Sequence, residues 1–395
     1  MQEPRPINAE KRSPTGGQHA GTTPPGPGGR LRRLTAVLVI GGGQAGLAAA
    51  YALRRSGFKP VILEAGKEAV GSWPRYYDSL ALFSPARINS LPGMAFPGDP
   101  SHFPVRDEVV DYLRKYAGRL DCEILTGRRV GSVLATEDGY QVETEDGRSY
   151  SAPFVVAASG CFDKPYKPDI PGLGEYTGTV LHAADYRNPA PFAGQRVVVV
   201  GAANSAVQIA IELARDSQVT LATRKPLNFF NKKPNTGDSF IWSVFGGLGR
   251  LPTSRVFPVH STSNGVGGVV EVGGYRAAIE SGRPDRRPMF VGAEGTRLHW
   301  ADGQAEHVDT VILATGYRWA MDYLRPLGAL DRAGVPKQRC GMSTTHPGLA
   351  FIGLQGQYSL LSGSLAGTAA DAYHIARQLR RQAIGIIKDA KSGKP

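Results

Sequence analysis

The apolar and polar positions of the chain follow one pattern twice. In the first copy, the apolar run Ala36–Ile40 precedes an Ala-rich stretch over residues 47–55 and a second apolar run over 61–63. In the second copy, the predicted strand 196–200 contains the apolar run Val197–Val200, which precedes another apolar helical stretch and a second predicted strand over 219–223. Short continuous apolar runs are typical of buried parallel strands, and the longer stretches between them predict helices. The pattern therefore predicts an α/β fold.

Glycines connect the first predicted strand to its helix. Gly41, Gly43 and Gly46 have the spacing G-x-G-x-x-G, which permits a tight turn, a close pyrophosphate and close helix packing, in that order. The positive end of the helix dipole attracts the phosphate charge. Glu64 ends the second strand, 23 residues after Gly41, where a carboxylate binds an adenosine ribose and repels a phosphate on it. This unit is predicted to bind FAD or NAD through Gly41, Gly43, Gln44, Ala45, Gly46 and Glu64.

The second copy has the same spacing and the opposite charge. Its turn begins at Gly201, and Arg224 follows 23 residues later, at the position that Glu64 has in the first copy. A guanidinium there, next to Lys225, can donate two parallel hydrogen bonds to a ribose 2′-phosphate. Ala203 replaces the expected middle glycine, so a structural repeat that binds no nucleotide stays an alternative. The predicted NADPH contacts are Gly201, Asn204, Ser205, Arg224 and Lys225.

Two nucleotide sites of different charge preference predict two cofactors, a permanently bound FAD and a mobile NADPH. Electrons would pass from the nicotinamide to the flavin and onward, and a protein disulfide is not the expected acceptor, because Cys122, Cys161 and Cys340 form no C-x-x-C pair. These few cysteines fit a reducing cytoplasm. The sequence has no H-E-x-x-H, G-x-S-x-G or phosphate-loop motif, so zinc hydrolysis, esterase chemistry and phosphoryl transfer lack their usual signals, and no metal is expected.

The net charge of +12 is concentrated at the two ends of the chain. Residues 1–33 carry +4 and are rich in Gly and Pro, so they are predicted to form a disordered arm. The last 20 residues carry +5, and residues 381–395 are predicted to be a basic tail. Because only +3 remains for the residues between, no nucleic-acid partner is expected. No apolar run approaches the roughly 18 residues of a bilayer span, so no membrane partner is expected either.

A motif between the two copies carries a family resemblance. The segment over 176–186 fits the signature F-x-G-x-x-x-H-x-x-x-Y through Tyr176, Gly178, His182 and Tyr186, with Tyr in place of the first Phe. It resembles the flavin-containing monooxygenases, within the class B flavoprotein monooxygenases. The Baeyer–Villiger branch has Trp at the last position of its signature, so Tyr186 favours oxygenation of a heteroatom. Taken alone, His182 is more simply explained as a hydrogen-bonded linker histidine.

The resemblance extends over residues 36–375 and implies further site residues. Trp73, in an element similar to the family's G-x-W, is expected near the flavin, although such a Trp alone is more often part of a core. Asn89 resembles an Asn that lies close to both flavin and nicotinamide, which implies that it stabilises the oxygenated flavin. An Asx-turn before Pro92 is the structural alternative for Asn89. The resemblance also implies cofactor contacts from Ser72, Trp73, Thr315, Gly316 and Gln355.

The same placements imply a domain order. A Rossmann-type FAD-binding domain is expected from residues 34–170 and 310–380, with a Rossmann-type NADPH-binding domain, 171–309, inserted in it. Residues 225–268 are rich in Gly, Pro and aromatic residues, with little periodicity. Because long irregular segments are uncommon unless functional, these residues are hypothesised to cover the substrate entrance, with simple surface packing as the alternative. Residues 367–381 predict a helix with a basic end.

The resemblance implies an NADPH- and dioxygen-dependent monooxygenase. In the family's scheme, a flavin hydroperoxide forms and oxygenates a soft nucleophile, such as N or S, of a small molecule. The cofactor carries the chemistry, so no protein acid, base or nucleophile is strictly required. Baeyer–Villiger oxygenation of a ketone, a non-oxygenating NADPH-dependent flavin oxidoreductase and a nucleotide sensor remain alternatives. Dioxygen and the small molecule are the expected partners, and a homodimer stays open.

Overall fold

The computed structural model describes residues 36–230, 236–238, 240–252 and 268–392. The predicted N-terminal arm lies outside the described residues. The helices of the described residues are α1 (Gln44–Arg55), α2 (Arg106–Arg119), α3 (Asn204–Leu213), α4 (Phe240–Leu248), α5 (Tyr275–Glu280) and α6 (Thr368–Ser392). Short 3₁₀ turns cover Trp73–Arg75, Ala86–Ile88, Leu173–Glu175, Ala190–Phe192 and Asp322–Leu324.

The strands form two larger sheets, one mainly and one entirely parallel, and two small antiparallel ones. In chain order they are β1 (Ala36–Ile40), β2 (Lys59–Leu63), β3 (Glu123–Leu125), β4 (Val130–Thr136), β5 (Gly139–Thr144), β6 (Ser149–Ala152), β7 (Phe154–Ala157), β8 (Thr179–His182), β9 (Arg196–Val200), β10 (Gln218–Thr223), β11 (Asp285–Pro288), β12 (Gly292–Glu294), β13 (Arg297–His299), β14 (Ala305–His307), β15 (Thr310–Leu313), β16 (Gln338–Arg339), β17 (Met342–Ser343) and β18 (Leu349–Phe351). Strands β4, β5 and β6 form one small sheet, and β12, β13 and β14 form the other.

The first large sheet has the order β16-β17-β18-β7-β1-β2-β3. Neighbouring strands from β18 to β3 are parallel, and β16, β17 and β18 pair in antiparallel fashion. Val37 and Val39 pack with α1 and α6 on one face, while Leu38 and Ile40 belong to the core on the other face. Both faces of β1 are therefore buried, which explains its continuous apolar sequence.

The second large sheet has the order β11-β10-β9-β15-β8, and every neighbouring pair is parallel. Val197 and Val199 of β9 pack against α3, and Val198 and Val200 belong to the cluster on the opposite face. The predicted α/β fold is confirmed, and its parallel sheets fit a Rossmann-type FAD-binding fold.

Two predicted boundaries were wrong. The FAD-binding domain was expected to resume at residue 310, but β15 lies in the second sheet, because its backbone pairs with β8 and β9. The C-terminal helix was expected to end at residue 381, but α6 continues to Ser392. Its buried side chains extend to Ala383, so packing against the first core supports the helix beyond the predicted end.

The segment predicted to be irregular, 225–268, contains α4. Residues 231–235, 239 and 253–267 of that segment lie outside the described residues. Among the helices that the structure describes, none is both long enough and apolar enough to cross a bilayer.

Candidate functional site

The turn between β1 and α1 is closely packed at its glycines. A Cβ on Gly46 would lie 1.8 Å from the carbonyl oxygen of Gly41. Gly41 itself has φ +108°, and a Cβ there would lie 2.6 Å from the carbonyl oxygen of Ala158. No side chain caps α1, so the N–H groups of its first turn remain available to an anion. This turn could hold a pyrophosphate.

Glu64 supports that turn directly. Glu64 is 7% exposed, and its Oε2 accepts a hydrogen bond of 2.5 Å from the backbone N–H of Gly42. Oε1 accepts a hydrogen bond of 2.6 Å from the N–H of Gly66. Because each carboxylate oxygen has two lone pairs, both can accept a further bond from a ribose hydroxyl. The sequence predicted the ribose contact; the bond to the glycine turn was missed, because spacing alone does not show which groups the carboxylate meets.

Residues 71–73 lie against the same turn. The indole Nε1 of Trp73 donates a hydrogen bond of 3.1 Å to Oε1 of Gln44, and a Cβ on Gly43 would lie 3.4 Å from the Cα of Gly71. Ser72 immediately precedes the 3₁₀ turn that contains Trp73. The structure therefore brings the G-x-W element and the first glycine turn together.

The second glycine turn has a comparable geometry. A Cβ on Gly201 would lie 2.4 Å from the carbonyl oxygen of Ala314. Ala203 has an extended backbone with φ −116°, which any residue adopts, so its methyl group imposes no backbone strain. Oδ1 of Asn204 accepts a hydrogen bond of 2.9 Å from the N–H of Val270, and Ser205 follows it in the first turn of α3. No side chain caps α3, so an anion could bind at its N-terminus.

Arg224 and Lys225 directly follow β10, and both are exposed. Neither makes an ion pair with a carboxylate in the part of the chain that the structure describes. They therefore leave positive charge at the carboxyl end of the strand, where parallel sheets of this kind bind ligands.

His182 connects the end of β8 to the loop after β15. It is completely buried, its Nδ1 accepts a hydrogen bond of 3.0 Å from the N–H of Ala184, and its Nε2 donates one of 3.1 Å to the carbonyl of Gly316. These bonds require the neutral ring with its proton on Nε2. Burial lowers the pKa of His182. Thr315 is held nearby by a hydrogen bond of 2.5 Å to the carbonyl of Tyr166. The described contacts of His182 are structural.

These contacts predict a pH-dependent stability. Because the pKa of His182 is lowered on folding, the unfolded chain takes up a proton at a pH where the folded protein does not. Stability is expected to fall as the pH decreases from about 7.5 to about 5.5, through the ordinary range of histidine. The His182→Gln variant keeps a donor for the Gly316 carbonyl. Its free energy of unfolding should depend less steeply on pH, by up to the uptake of one proton on unfolding. Urea unfolding across this pH range measures it, and equal pH slopes for both proteins would contradict the assignment.

The other signature residues form packing contacts of the second sheet. The hydroxyl of Tyr176 donates to the carbonyl of Val308, a bond that the family's Phe could not make. A Cβ on Gly178 would lie 2.5 Å from the ring of Tyr176. Tyr186 is completely buried and donates a hydrogen bond of 2.8 Å to Glu212. The described contacts of Tyr176, Gly178 and Tyr186 therefore stabilise the packing around the second sheet.

Asn89 lies at the end of the 3₁₀ turn Ala86–Ile88 and is 2% exposed. Its Nδ2 donates to the carbonyls of Ser84 and Pro85, at 2.8 and 3.0 Å, and its Oδ1 accepts from the hydroxyl of Ser84 at 3.1 Å. Both amide hydrogens have protein acceptors, so in this conformation Asn89 holds the turn. A role toward the flavin stays a prediction.

The turn over residues 353–357, which follows β18, meets the first glycine turn. A Cβ on Gly353 would lie 3.1 Å from the Cβ of Ala45. Gln355 is exposed, and the turn is shaped from inside by Gln357, which accepts from the N–H of Leu354 and donates to the carbonyl of Phe351. The sequence identified Gln355 and missed Gln357, because both are glutamines of one glycine-rich turn and only packing separates them.

Residues 240–252, here called the strap, lie between β10 and β11 in the chain. They contact the 3₁₀ turn Ala86–Ile88 and the segment before α6. A Cβ on Gly246 of α4 would lie 2.9 Å from Ile88. Arg250 is half-buried, and its Nε and Nη2 donate to the carbonyls of Ala366 and Ile88 at 2.9 and 2.8 Å. The N–H of Leu361 donates to the carbonyl of Gly249 at 3.1 Å. The strap therefore joins the segment before Asn89 to the turn before α6.

Comparison with known proteins identifies the family. A family model described as pyridine nucleotide-disulphide oxidoreductase matches residues 38–237, just over half of the chain. The chain is also 32% identical to an uncharacterized oxidoreductase, CzcO-like, from Geobacillus kaustophilus, over 87% of this chain and 98% of that protein. The chain belongs to the pyridine nucleotide-disulphide oxidoreductase family. Among the described residues, no group of three or more His, Cys, Asp or Glu side chains could hold a metal in this family member.

Within this family, the chain is similar to flavin monooxygenases. It is 28% identical to indole-3-pyruvate monooxygenase YUCCA1 from Oryza sativa subsp. japonica, over 90% of this chain and 95% of that protein. The solved structure of a flavin-containing monooxygenase from Stenotrophomonas maltophilia is 31% identical, with a TM-score of 0.75 over 88% of this chain and 98% of that chain. This family member is a flavin-containing monooxygenase-like enzyme that uses FAD and NADPH, and both predicted cofactors are confirmed.

Proposed function

We propose that the enzyme uses NADPH and dioxygen to oxygenate a soft nucleophile, an amine nitrogen or a sulfur, of a small molecule. The observation that carries this proposal is the charge reversal between two glycine turns on two parallel sheets. Glu64 and Arg224 follow the first glycines of their turns by the same number of residues but carry opposite charges. The two sites therefore prefer different nucleotides. One site suits FAD and the other suits NADPH, which makes the chain a two-cofactor catalyst.

In the proposed organisation, the first large sheet carries FAD and the second carries NADPH. The FAD part combines residues before β8 with those that follow β15, and the NADPH part is inserted between them. The two glycine turns, each opening onto an uncapped helix, support this division. Glu64 would bind the adenosine ribose of FAD, and the G-x-W element and the turn around Gln355 would lie along the flavin.

The chemistry that FAD supplies when bound is electron transfer from NADPH and activation of dioxygen. The chain's own residues bind and orient the cofactors and exclude water from the reacting groups. Asn89 is proposed to contact the bound flavin, and it would do so after exchanging one of its present acceptors. The strap would close the site above it. The substrate entrance is therefore proposed beside the strap.

A carbonyl substrate is the second candidate. The similar protein from Oryza sativa is named for indole-3-pyruvate, a 2-oxo acid, which favours testing carbonyl compounds together with amines and sulfides. Against this stands Tyr186 in place of the Trp of the Baeyer–Villiger signature. A flavin oxidoreductase that transfers no oxygen is the remaining alternative.

The test is a substrate panel of amines, sulfides, ketones and 2-oxo acids. NADPH oxidation, oxygenated product and released hydrogen peroxide are measured for each compound. Formation of an N-oxide or S-oxide in proportion to NADPH consumed supports the proposal. An ester or decarboxylated acid as the main product assigns a carbonyl substrate instead. Peroxide as the sole product across the panel would indicate an enzyme that transfers no oxygen.

Replacing Arg224 by alanine should raise the Michaelis constant for NADPH by about tenfold, the effect expected for one charge-assisted contact to phosphate. The constant for NADH should change little, because NADH has no 2′-phosphate. Steady-state kinetics with both nucleotides measure the difference. Equal effects on NADPH and NADH would show that Arg224 does not recognise the phosphate.

A further inference from the structure

Arg286 reaches the same edge of the second sheet from a different strand. It lies on β11, which runs parallel to β10 with Arg286 opposite Leu221. Its Nε donates a hydrogen bond of 3.1 Å to the hydroxyl of Thr223, the last residue of β10. The side chain therefore extends toward the carboxyl end of the sheet, where Arg224 directly follows β10.

The guanidinium of Arg286 is half-buried and lacks an acidic partner. In the described residues, no carboxylate lies within ion-pair distance of it, and its two terminal nitrogens have no protein acceptor yet remain accessible. Its strand neighbour Arg287 differs, because it pairs with Asp302 and lies 4.2 Å above the ring of Trp300. Arg286, Arg224 and Lys225 thus leave three uncompensated cations at one edge, an arrangement suited to a dianion.

We propose that Arg286 binds the 2′-phosphate of NADPH together with Arg224 and so determines nucleotide specificity. This assignment rests on the proposed function of the second sheet as the NADPH site. The bond to Thr223 fixes the orientation of the guanidinium before the nucleotide arrives, so less side-chain freedom is lost on binding. The remaining N–H groups of its planar fork match the geometry of a phosphate.

The binding test uses adenosine 2′,5′-bisphosphate and adenosine 5′-monophosphate on the purified FAD-loaded protein, with calorimetry as the readout. Arg286→Gln should weaken binding of the bisphosphate by about tenfold and leave the monophosphate unchanged. Arg286→Lys keeps the charge but lacks the planar fork of the guanidinium. Its affinity for the bisphosphate should lie between those of the wild type and Arg286→Gln. Arg283→Gln is the matched control: it removes the same charge from an exposed residue that lies two positions before β11 begins, and both affinities should be retained.

The outcomes separate the two levels of the proposal. A wild-type protein that does not prefer the bisphosphate overturns the second sheet as the NADPH site. A wild-type preference that persists in Arg286→Gln overturns only the role of Arg286. Equal weakening of both nucleotides in Arg286→Gln also overturns that role, because it indicates contact with the adenosine or a folding defect. Thermal unfolding of each variant identifies a folding defect.

Discussion

Replacing Gly46 by alanine is expected to abolish FAD loading. The added Cβ would lie 1.8 Å from the carbonyl oxygen of Gly41, far inside van der Waals contact. The obstacle is backbone rather than a flexible side chain, so α1 has to move away from β1. That movement displaces the N–H groups that would bind the pyrophosphate and separates Glu64 from Gly42. The flavin absorbance per protein chain after purification measures the result, and we expect at least about a tenfold loss of occupancy.

Gly118 provides the matched control for this substitution. It lies in α2 with an ordinary helical backbone, and a Cβ added there would have nothing within 4 Å. Gly118→Ala should keep full FAD occupancy and stability at or above that of the wild type, because alanine is the better helix former. Normal flavin content in Gly46→Ala would show that the first glycine turn is not the pyrophosphate site.

The sequence was sufficient for features that depend on local spacing. The glycines of both turns and the charges of Glu64 and Arg224 are set by distances along the chain, and the structure places Arg224 directly after β10. Each belongs to a strand, turn and helix made from consecutive residues. The buried apolar runs also identified both parallel sheets, since strands covered on two faces have little alternation.

The sequence was insufficient where the structure depends on contacts between segments that are distant along the chain. The apolar run of β15 would look the same in either sheet, because both sheets bury all its side chains; only its pairing with β8 and β9 decides. Asn89 was chosen by resemblance, but its amide contacts come from the local turn at Ser84 and Pro85. Arg286 has no motif around it, and its relevance depends on the neighbouring strand.

The same limitation applies to the strap. Its composition suggested a cover for the entrance, yet the residue that anchors it is Arg250, which is neither aromatic nor part of a motif. Arg250 donates to two backbone carbonyls, of Ile88 and Ala366, that are remote in sequence. Hydrogen bonds from a charged group to otherwise unpaired buried carbonyls contribute about 1.5–3 kcal/mol each when removal leaves the acceptors unsatisfied.

Replacing Arg250 by alanine is therefore expected to increase the share of NADPH electrons released as hydrogen peroxide by about fivefold or more. A loss of about 1 kcal/mol in the free energy that holds the strap corresponds to a factor of about five. Loss of both bonds loosens the strap at Ile88 and Ala366, although the bond from the Leu361 N–H to the Gly249 carbonyl remains, and more water then enters the proposed flavin site. FAD content should remain normal, because the first glycine turn is untouched. Peroxide formed per NADPH oxidised, with a fixed substrate, measures the effect.

Two further variants make this result specific to the strap. Arg250→Lys retains a charged donor that can reach one carbonyl, so its peroxide release should lie between those of the wild type and Arg250→Ala. Arg377→Ala removes an exposed arginine whose Nε donates to the carbonyl of Tyr373 in its own helix, and coupling should be unchanged. Tight coupling in Arg250→Ala would place the strap away from the reacting flavin. Equal uncoupling in Arg377→Ala would instead attribute the effect to lost charge, because that variant leaves the strap attached.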